Sequence, residues 1–471
     1  MPLYEQFDEI YSISDLHLSD ERGMDVESVA ALTNTVKCLE ARAKKTRLPT
    51  ALVVNGDIVD FLDVEPADYF DALRAPAKLE RIIAANEVLW NAFNAYSSVG
   101  TLILTLGNHD VELAMPACQA MLRSRITGGL ILAFDGSGYR CRTGNTTAFF
   151  VHGNNEDEWN TIDFDLLGRI AAAVAAGRPH ETWIANEGTK LVIELLNKQK
   201  HSHPFLEYVK PEKLWLLELV AKLGFAGLAS QLHELVGRQA KARQRHWRRS
   251  RSPQAAYLGR GQDFAEQLNA TMFDAEQLLL RADAQFRAGA RILESPNLRT
   301  GKLGLSMRDL FRVERAPESE IRDHIVRSLV GETAFLFDQT DDLYRALGPK
   351  LERGIHWVVC GHTHLRRAYQ DRSDRAYFNS GTWMRLIDLY DVANTDGQFG
   401  SVMKALDASS RDQLDEIRWT SADGSERQIV HREPTVVVLR SGEGWLANGV
   451  ESSSNPTELT RLGGSLRRVA P

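Results

Sequence analysis

The chain of 471 residues is 43% hydrophobic, 25% charged and 8% aromatic, an ordinary globular composition that allows a sizeable core and excludes wholesale disorder. Its formal net charge of -7 and pI near 6.0 argue against a surface given over wholly to nucleic acid or anionic lipid, so any polyanion contact must be local. No apolar run approaches the ~20 residues that a membrane span requires, and the first residues show no basic and apolar leader pattern, so the expected compartment is the cytoplasm.

Short β-rich runs at Glu9 to Ser14, Ala51 to Asn55 and Thr101 to Leu106 each enter a polar turn. Between them, Ser28 to Lys44 and Leu79 to Tyr96 carry apolar residues at helical spacing, as crossover helices between neighbouring strands should. Strand-like stretches follow at Gly129 to Phe134 and Thr147 to His152, which makes the class α/β. From about Asp163 to Lys350 the composition shifts to Leu, Ala, Gln, Glu and Arg with helical periodicity. Strand signals return at Ile355 to Cys360, Arg375 to Asn379 and Thr435 to Arg440. The expected organisation is therefore a core in two parts, 1–160 and 351–450, around a helical insertion at 161–350, with a loosely ordered tail at 451–471. Cys38, Cys118, Cys141 and Cys360 are scattered, form no CxxC pair, and are expected to be reduced thiols.

Polar motifs sit directly after the expected strands: Asp15-Leu16-His17, Gly56-Asp57-Ile58-Val59-Asp60, Gly107-Asn108-His109-Asp110, Val151-His152-Gly153 and Gly361-His362-Thr363-His364. In open α/β sheets ligands bind at the carboxyl ends of strands, so motifs far apart in sequence can converge on one crevice. Pooled, they offer a mixed oxygen and nitrogen donor set suited to Mn²⁺, Fe or Zn²⁺. Taken singly, an Asp-x-His or Gly-Asp is mostly a solvated turn, and His152 could be a core histidine. It is the five together that point to a metal site. No GxxxxGK[ST] loop is present, which argues against a P-loop triphosphatase.

In their order, these five motifs resemble those of the calcineurin-like metallophosphoesterase family, over roughly the first 155 residues and about Ile355 to Trp383. The resemblance implies an α/β/β/α sandwich, two mixed sheets packed face to face with helices outside, and makes the insertion a cap that governs substrate access. It implies two divalent metal ions, manganese first with iron or zinc as alternatives. Asp15, His17, Asp57 and His364 would hold one, and Asp57, Asn108, His152 and His362 the other, with Asp57 bridging. His109 would be general acid or phosphate contact, oriented by Asp110. The implied activity is hydrolysis of a phosphodiester or phosphomonoester by metal-activated hydroxide. Many relatives follow the motif histidine and glycine with aspartate, whereas Asn154 and Asn155 stand here, a substrate-side variation. Ile13 to Leu18 also resembles the start of bacterial UDP-diacylglucosamine pyrophosphatases, which makes a pyrophosphatase acting on a nucleotide-linked lipid or sugar the rival enzyme. Those enzymes carry Arg where this chain has His109. A protein-binding scaffold without catalysis is the remaining alternative.

Within the insertion, Arg238, Lys241, Arg243, Arg245, Arg248, Arg249 and Arg251 crowd together with Trp247 and Tyr257, and no acidic residue lies between Leu235 and Gln262. Such a stretch suits phosphates, stacked bases or anionic headgroups, and equally a solvated helical face. His201, His203 and His233 are expected to be surface histidines, and the stripe of Trp215, Leu216 and Leu219 core packing or an acyl pocket.

Overall fold

The computed structural model describes residues 4–21, 23–193, 197–210, 317–330, 335–371, 375–395, 397–450, 458–463 and 467–468. The basic stretch, His233 and the Trp215 stripe lie outside the described residues. The chain divides into two compact units, one of Met1–Ile193, Thr333–Leu386 and His431–Pro471, the other of Glu194–Glu332 and Ile387–Val430.

The first unit is built on two mixed sheets. Strands β1 (Glu5–Gln6), β2 (Glu9–Ile13), β3 (Thr50–Asn55), β4 (Thr101–Thr105), β5 (Gly129–Ala133), β6 (Tyr139–Thr143), β7 (Thr146–Phe150), β8 (Trp357–Cys360), β9 (Arg366–Gln370) and β10 (Ala376–Ser380) follow in chain order. In the seven-stranded sheet β2, β3, β4 and β5 run parallel, and Thr435–Arg440, Glu443–Asn448 and Arg467–Arg468 extend it antiparallel beyond β2. The six-stranded sheet has the order β1-β6-β7-β8-β10-β9.

Side chains alternate across a strand, so each central strand feeds two cores. Ile10, Ala51, Val53 and Ile103 pack with Ala148, Phe150, Trp357, Val359, Ala376 and Phe378 between the two sheets. Their neighbours Tyr11, Ile13, Leu52, Val54, Leu102 and Leu104 face helices α1 (Val26–Thr46), α2 (Ala75–Ala85), α3 (Glu87–Ser97), α4 (Pro116–Arg125) and α5 (Phe164–Ala175). On the far face of the six-stranded sheet, Tyr377 stacks on Tyr344 of the helix Asp342–Leu347, ring centroids 4.6 Å apart. The layers are therefore helix, sheet, sheet and helix, the expected sandwich.

Helix α1 starts where the Asp25 carboxylate accepts the Ser28 N–H at 3.0 Å, satisfying one of the orphan donors of the first turn. The single helix expected over Leu79 to Tyr96 is two, broken at Asn86, whose φ of −117° leaves helical geometry while its amide donates to Ser19 O and Ile82 O. Part of the tail expected to be loose is paired instead: Asn448 N donates to Thr460 O and Leu462 N to Leu446 O, each at 2.9 Å.

In the second unit the helix Glu318–Leu329 meets the segment Leu389–Asn394, where Arg322 donates to Ala393 O at 2.6 Å. His203 pairs with Asp407 at 2.9 Å rather than pointing freely to solvent. No described helix is long and apolar enough to cross a membrane.

Candidate metal centre

Asp15, Asp57, Asn108, His152 and His362 each follow the carboxyl end of a strand, namely β2, β3, β4, β7 and β8. Tertiary hydrogen bonds hold the turns in register. His17 N donates to Asp57 O at 2.9 Å, Gly361 N to His152 O at 2.9 Å, and the Asn55 amide reaches both Val151 O and Val359 O at 3.1 Å. Asn55 thereby ties the end of β3 to those of β7 and β8.

The turns are strained in a consistent way. Asp15 (φ 53°), His17 (45°), Asp57 (48°), His362 (69°) and His364 (61°) all lie in the left-handed region, and Arg47 is the one other described non-glycine residue there. Such conformations cost on the order of 1–3 kcal/mol each and cluster where surrounding structure over-determines a site. Close approach adds a second constraint, because a Cβ on Gly107 would lie 2.0 Å from Asp57 Oδ1 and one on Gly361 2.5 Å from Asp15 Oδ2.

These turns bring the side chains together in overlapping groups. Donor atoms of Asp15, His17 and His364 lie within 4.8 Å of one another, as do those of Asp15, Asp57 and His152. His17 Nε2 is 3.0 Å from His364 Nε2, and Asp57 Oδ2 is 3.0 Å from His152 Nε2 and 3.7 Å from His17 Nε2. Asp57 thus faces both groups. Of the two remaining candidates, His362 packs its ring 5.5 Å from that of His152, and Asn108 lies between Gly107 and His109, whose backbones close on Asp57, and is buried with its Oδ1 lacking any hydrogen-bond partner. An acceptor buried without a donor costs ~1–3 kcal/mol, and a cation would satisfy it. The donor set of carboxylates, imidazoles and one amide oxygen therefore fits a divalent ion, and the residues expected from the motifs converge.

The charges are interdependent. Burial pushes the Asp15 carboxyl up, with His152 and His17 pulling back. At Asp57 burial is outweighed by His152 and His109, which hold it well below the carboxylate range. Burial works against the charged form of His152, yet Asp57 and Asp15 raise it to about 10. The clustered carboxylates thus favour positive charge beside them, the role a bound cation would take.

His109 lies beside the cluster, where the carboxylate next to its ring is Asp60 and not Asp110. Its Nδ1 lies 3.0 Å from Asp60 Oδ2, and its backbone N–H donates to Asp57 Oδ1 at 2.9 Å. Asp110 instead points into the fold, where its carboxylate accepts the N–H groups of Ile58 and Gly107, both at 2.7 Å. The carboxylate that contacts the His109 ring is thus Asp60, three residues after Asp57 in the same motif, and Asp110 braces the turns. Asp60 also approaches His17 Nδ1 at 3.4 Å; burial opposes its ionisation, but His109 and His17 prevail and keep it below the carboxylate range. Two further residues carried no motif signal: Asp157 Oδ2 lies 3.1 Å from His362 Nε2, and Asn160 Oδ1 accepts from Asn108 Nδ2 at 3.4 Å.

Residues 9–217 match the family model described as calcineurin-like phosphoesterase. That span holds Asp15, His17, Asp57, Asn108 and His152 and ends before His362 and His364. No curated protein and no solved structure matches the chain.

Proposed function

Because the chain carries a calcineurin-like phosphoesterase domain, we propose that it is a dinuclear-metal hydrolase of a phosphodiester or phosphomonoester. The observation that carries this is the convergence of Asp15, His17, Asp57, His152 and His364 within a few ångströms beyond the ends of β2, β3, β7 and β8, with Asn108 Oδ1 unsatisfied beside them. Asp15, His17, Asp57 and His364 would hold one cation, and Asp57, Asn108, His152 and His362 the other, with Asp57 bridging, since its Oδ2 lies 3.0 Å from His152 Nε2 and 3.7 Å from His17 Nε2. Two divalent ions there, manganese before iron or zinc, would supply charge stabilisation at the phosphoryl oxygens and a water acidic enough to attack at neutral pH.

The chain's own residues supply the rest. His109 is partly exposed at the edge of the cluster, with Nδ1 on Asp60 and Nε2 as the nitrogen that would meet a substrate. The Asp60 carboxylate accepts the Nδ1–H and stabilises the imidazolium, the form whose Nε2–H can donate, so His109 protonates the departing oxygen from Nε2. A group that protonates the leaving oxygen favours an ester with a basic leaving group over a pyrophosphate, whose leaving phosphate departs unassisted. A pyrophosphatase acting on a nucleotide-linked lipid or sugar is the second reading, supported by the Ile13 to Leu18 segment.

An activity screen with added Mn²⁺, Fe²⁺ or Zn²⁺ on alkyl and aryl phosphodiesters, phosphomonoesters and a nucleotide-linked pyrophosphate tests the proposal. Metal-dependent turnover of an ester, faster than that of the pyrophosphate, is expected. Preferential pyrophosphate cleavage would favour the second reading. Failure with every substrate and metal would leave a protein-binding scaffold.

A further inference from the structure

Each imidazole that would ligate a metal has two ring nitrogens, and the bond made by one decides which lone pair the other offers. His152 places Nδ1 on Asn55 O at 2.9 Å, leaving Nε2 toward Asp57. His17 turns Nδ1 to Asp60 and Nε2 to His364 and Asp57. His362 is reversed: its Nε2 meets Asp157 Oδ2 at 3.1 Å, so the lone pair left for a cation is on Nδ1.

Asp157 is itself fixed. Its Oδ1 accepts the Trp159 N–H at 2.9 Å and its Oδ2 the Asn160 amide at 2.8 Å. Asn160 then turns its own Oδ1 to Asn108 Nδ2, so the Asn108 amide presents its unpartnered, buried Oδ1. The loop carrying both is anchored by Gly188 N to Trp159 O at 2.8 Å, Ile162 N to Asn155 Oδ1 at 2.8 Å and Asn154 Nδ2 to Asn160 O at 2.9 Å. A single loop after β7 therefore orients two donors that come from β4 and β8.

We infer that Asp157, with Asn160, is a positioning residue for the second metal, setting the His362 tautomer and the Asn108 amide orientation so that both offer lone pairs to one cation. The inference rests on the dinuclear reading above. Partners that orient metal ligands in this way typically carry a 10- to 100-fold effect on metal affinity.

The test is Mn²⁺ titration of wild type, Asp157→Ala, Asp157→Asn and Asn160→Ala, with free Mn²⁺ counted by electron paramagnetic resonance, alongside ¹⁵N spectra of the histidine rings in metal-free protein. Wild type is expected to bind two ions. Asp157→Ala should keep one and bind the other about 10- to 100-fold more weakly. Asp157→Asn, whose side-chain oxygen still accepts from Nε2–H, should recover part of the loss. The His362 ring should carry its proton on Nε2 in wild type and lose that preference in Asp157→Ala. Wild-type affinities in Asp157→Ala, an Nδ1-protonated His362 in wild type, or equal weakening of both sites together with a lower unfolding temperature would each overturn the inference. A wild type that binds fewer than two ions would count against the dinuclear reading instead, while the ring spectra still decide the role of Asp157.

Discussion

His109 works as an acid only if its ring is held with one N–H toward the substrate, and the carboxylate that does so is Asp60 at 3.0 Å. His109→Ala should therefore lose roughly 10²–10⁴-fold in kcat on alkyl esters and far less on activated aryl esters, with metal content unchanged. Asp60→Asn should shift activity in the same leaving-group-dependent way, whereas Asp110→Asn should lower stability without that dependence; equal losses on all esters would reduce His109 to a phosphate contact. A second titrating group lies just beyond the motif. Glu112 is fully buried with Oε2 unpartnered, and burial raises its carboxyl to about 8. A carboxyl raised in the folded state favours folding while protonated, so stability should fall as pH rises from about 4.5 to about 8, by up to about 1.4 kcal/mol per pH unit. Urea unfolding of metal-free protein across that window should show the slope in wild type and a shallower one in Glu112→Gln; identical slopes would exclude Glu112 as its source. The candidate ligand positions were legible in sequence because each motif combines a strand end with a side chain able to bind a metal. Which carboxylate faces His109 was not, since Asp60 and Asp110 are equally plausible in sequence and only the turn geometry separates them. Asp157 and Asn160 act across the fold from a loop without a motif, and no local pattern marks them.

At the scale of elements, β2, β3, β4 and β8 announced themselves by apolar runs ending in a polar turn, and the structure places them within a residue or two of that reading. Strands β6 (Tyr139–Thr143) and β9 (Arg366–Gln370) escaped notice because two arginines in each break the apolar pattern. β9 is an edge strand and β6 lies next to short β1; Arg140, Arg142 and Arg366 stay partly exposed there, while Arg367 is buried and donates to Leu336 O at 2.8 Å. The glycines divide by the same logic of surroundings. Gly107→Ala would drive a Cβ to 2.0 Å from Asp57 Oδ1, so it should abolish metal binding and activity. Gly168 is exposed within α5, and a Cβ added there would meet nothing within 4 Å. Its substitution by Ala should instead add about 0.5–1 kcal/mol of stability, because the unfolded chain loses freedom. Thermal unfolding and metal analysis of the two variants check both; a Gly107→Ala protein with full metal content would contradict the close-packing account.

For the whole molecule, the sheets, their order and the convergence of the site follow from packing two-faced strands between helices. The net charge of -7 makes the basic run from Arg238 to Arg251 an asymmetry that composition alone does not explain. We propose that it binds an anionic substrate or surface. Neutralising Arg245, Arg248 and Arg249 together should raise KM for the natural substrate and leave kcat on a small aryl phosphate unchanged, with added salt weakening wild-type binding more than mutant binding. Vesicles of anionic lipid and single-stranded oligonucleotides, tested for binding, would identify the surface, and a triple mutant matching wild type on all of them would assign the run to a solvated face. Whether two metals share Asp57 is measured most directly by the metal content of purified wild type and Asp57→Asn after loading with Mn²⁺, read by elemental analysis on the same samples assayed for turnover. Two ions per chain in wild type, with both lost or nearly all turnover gone in Asp57→Asn, is the predicted result. An Asp57→Asn protein with wild-type metal content and turnover would contradict it.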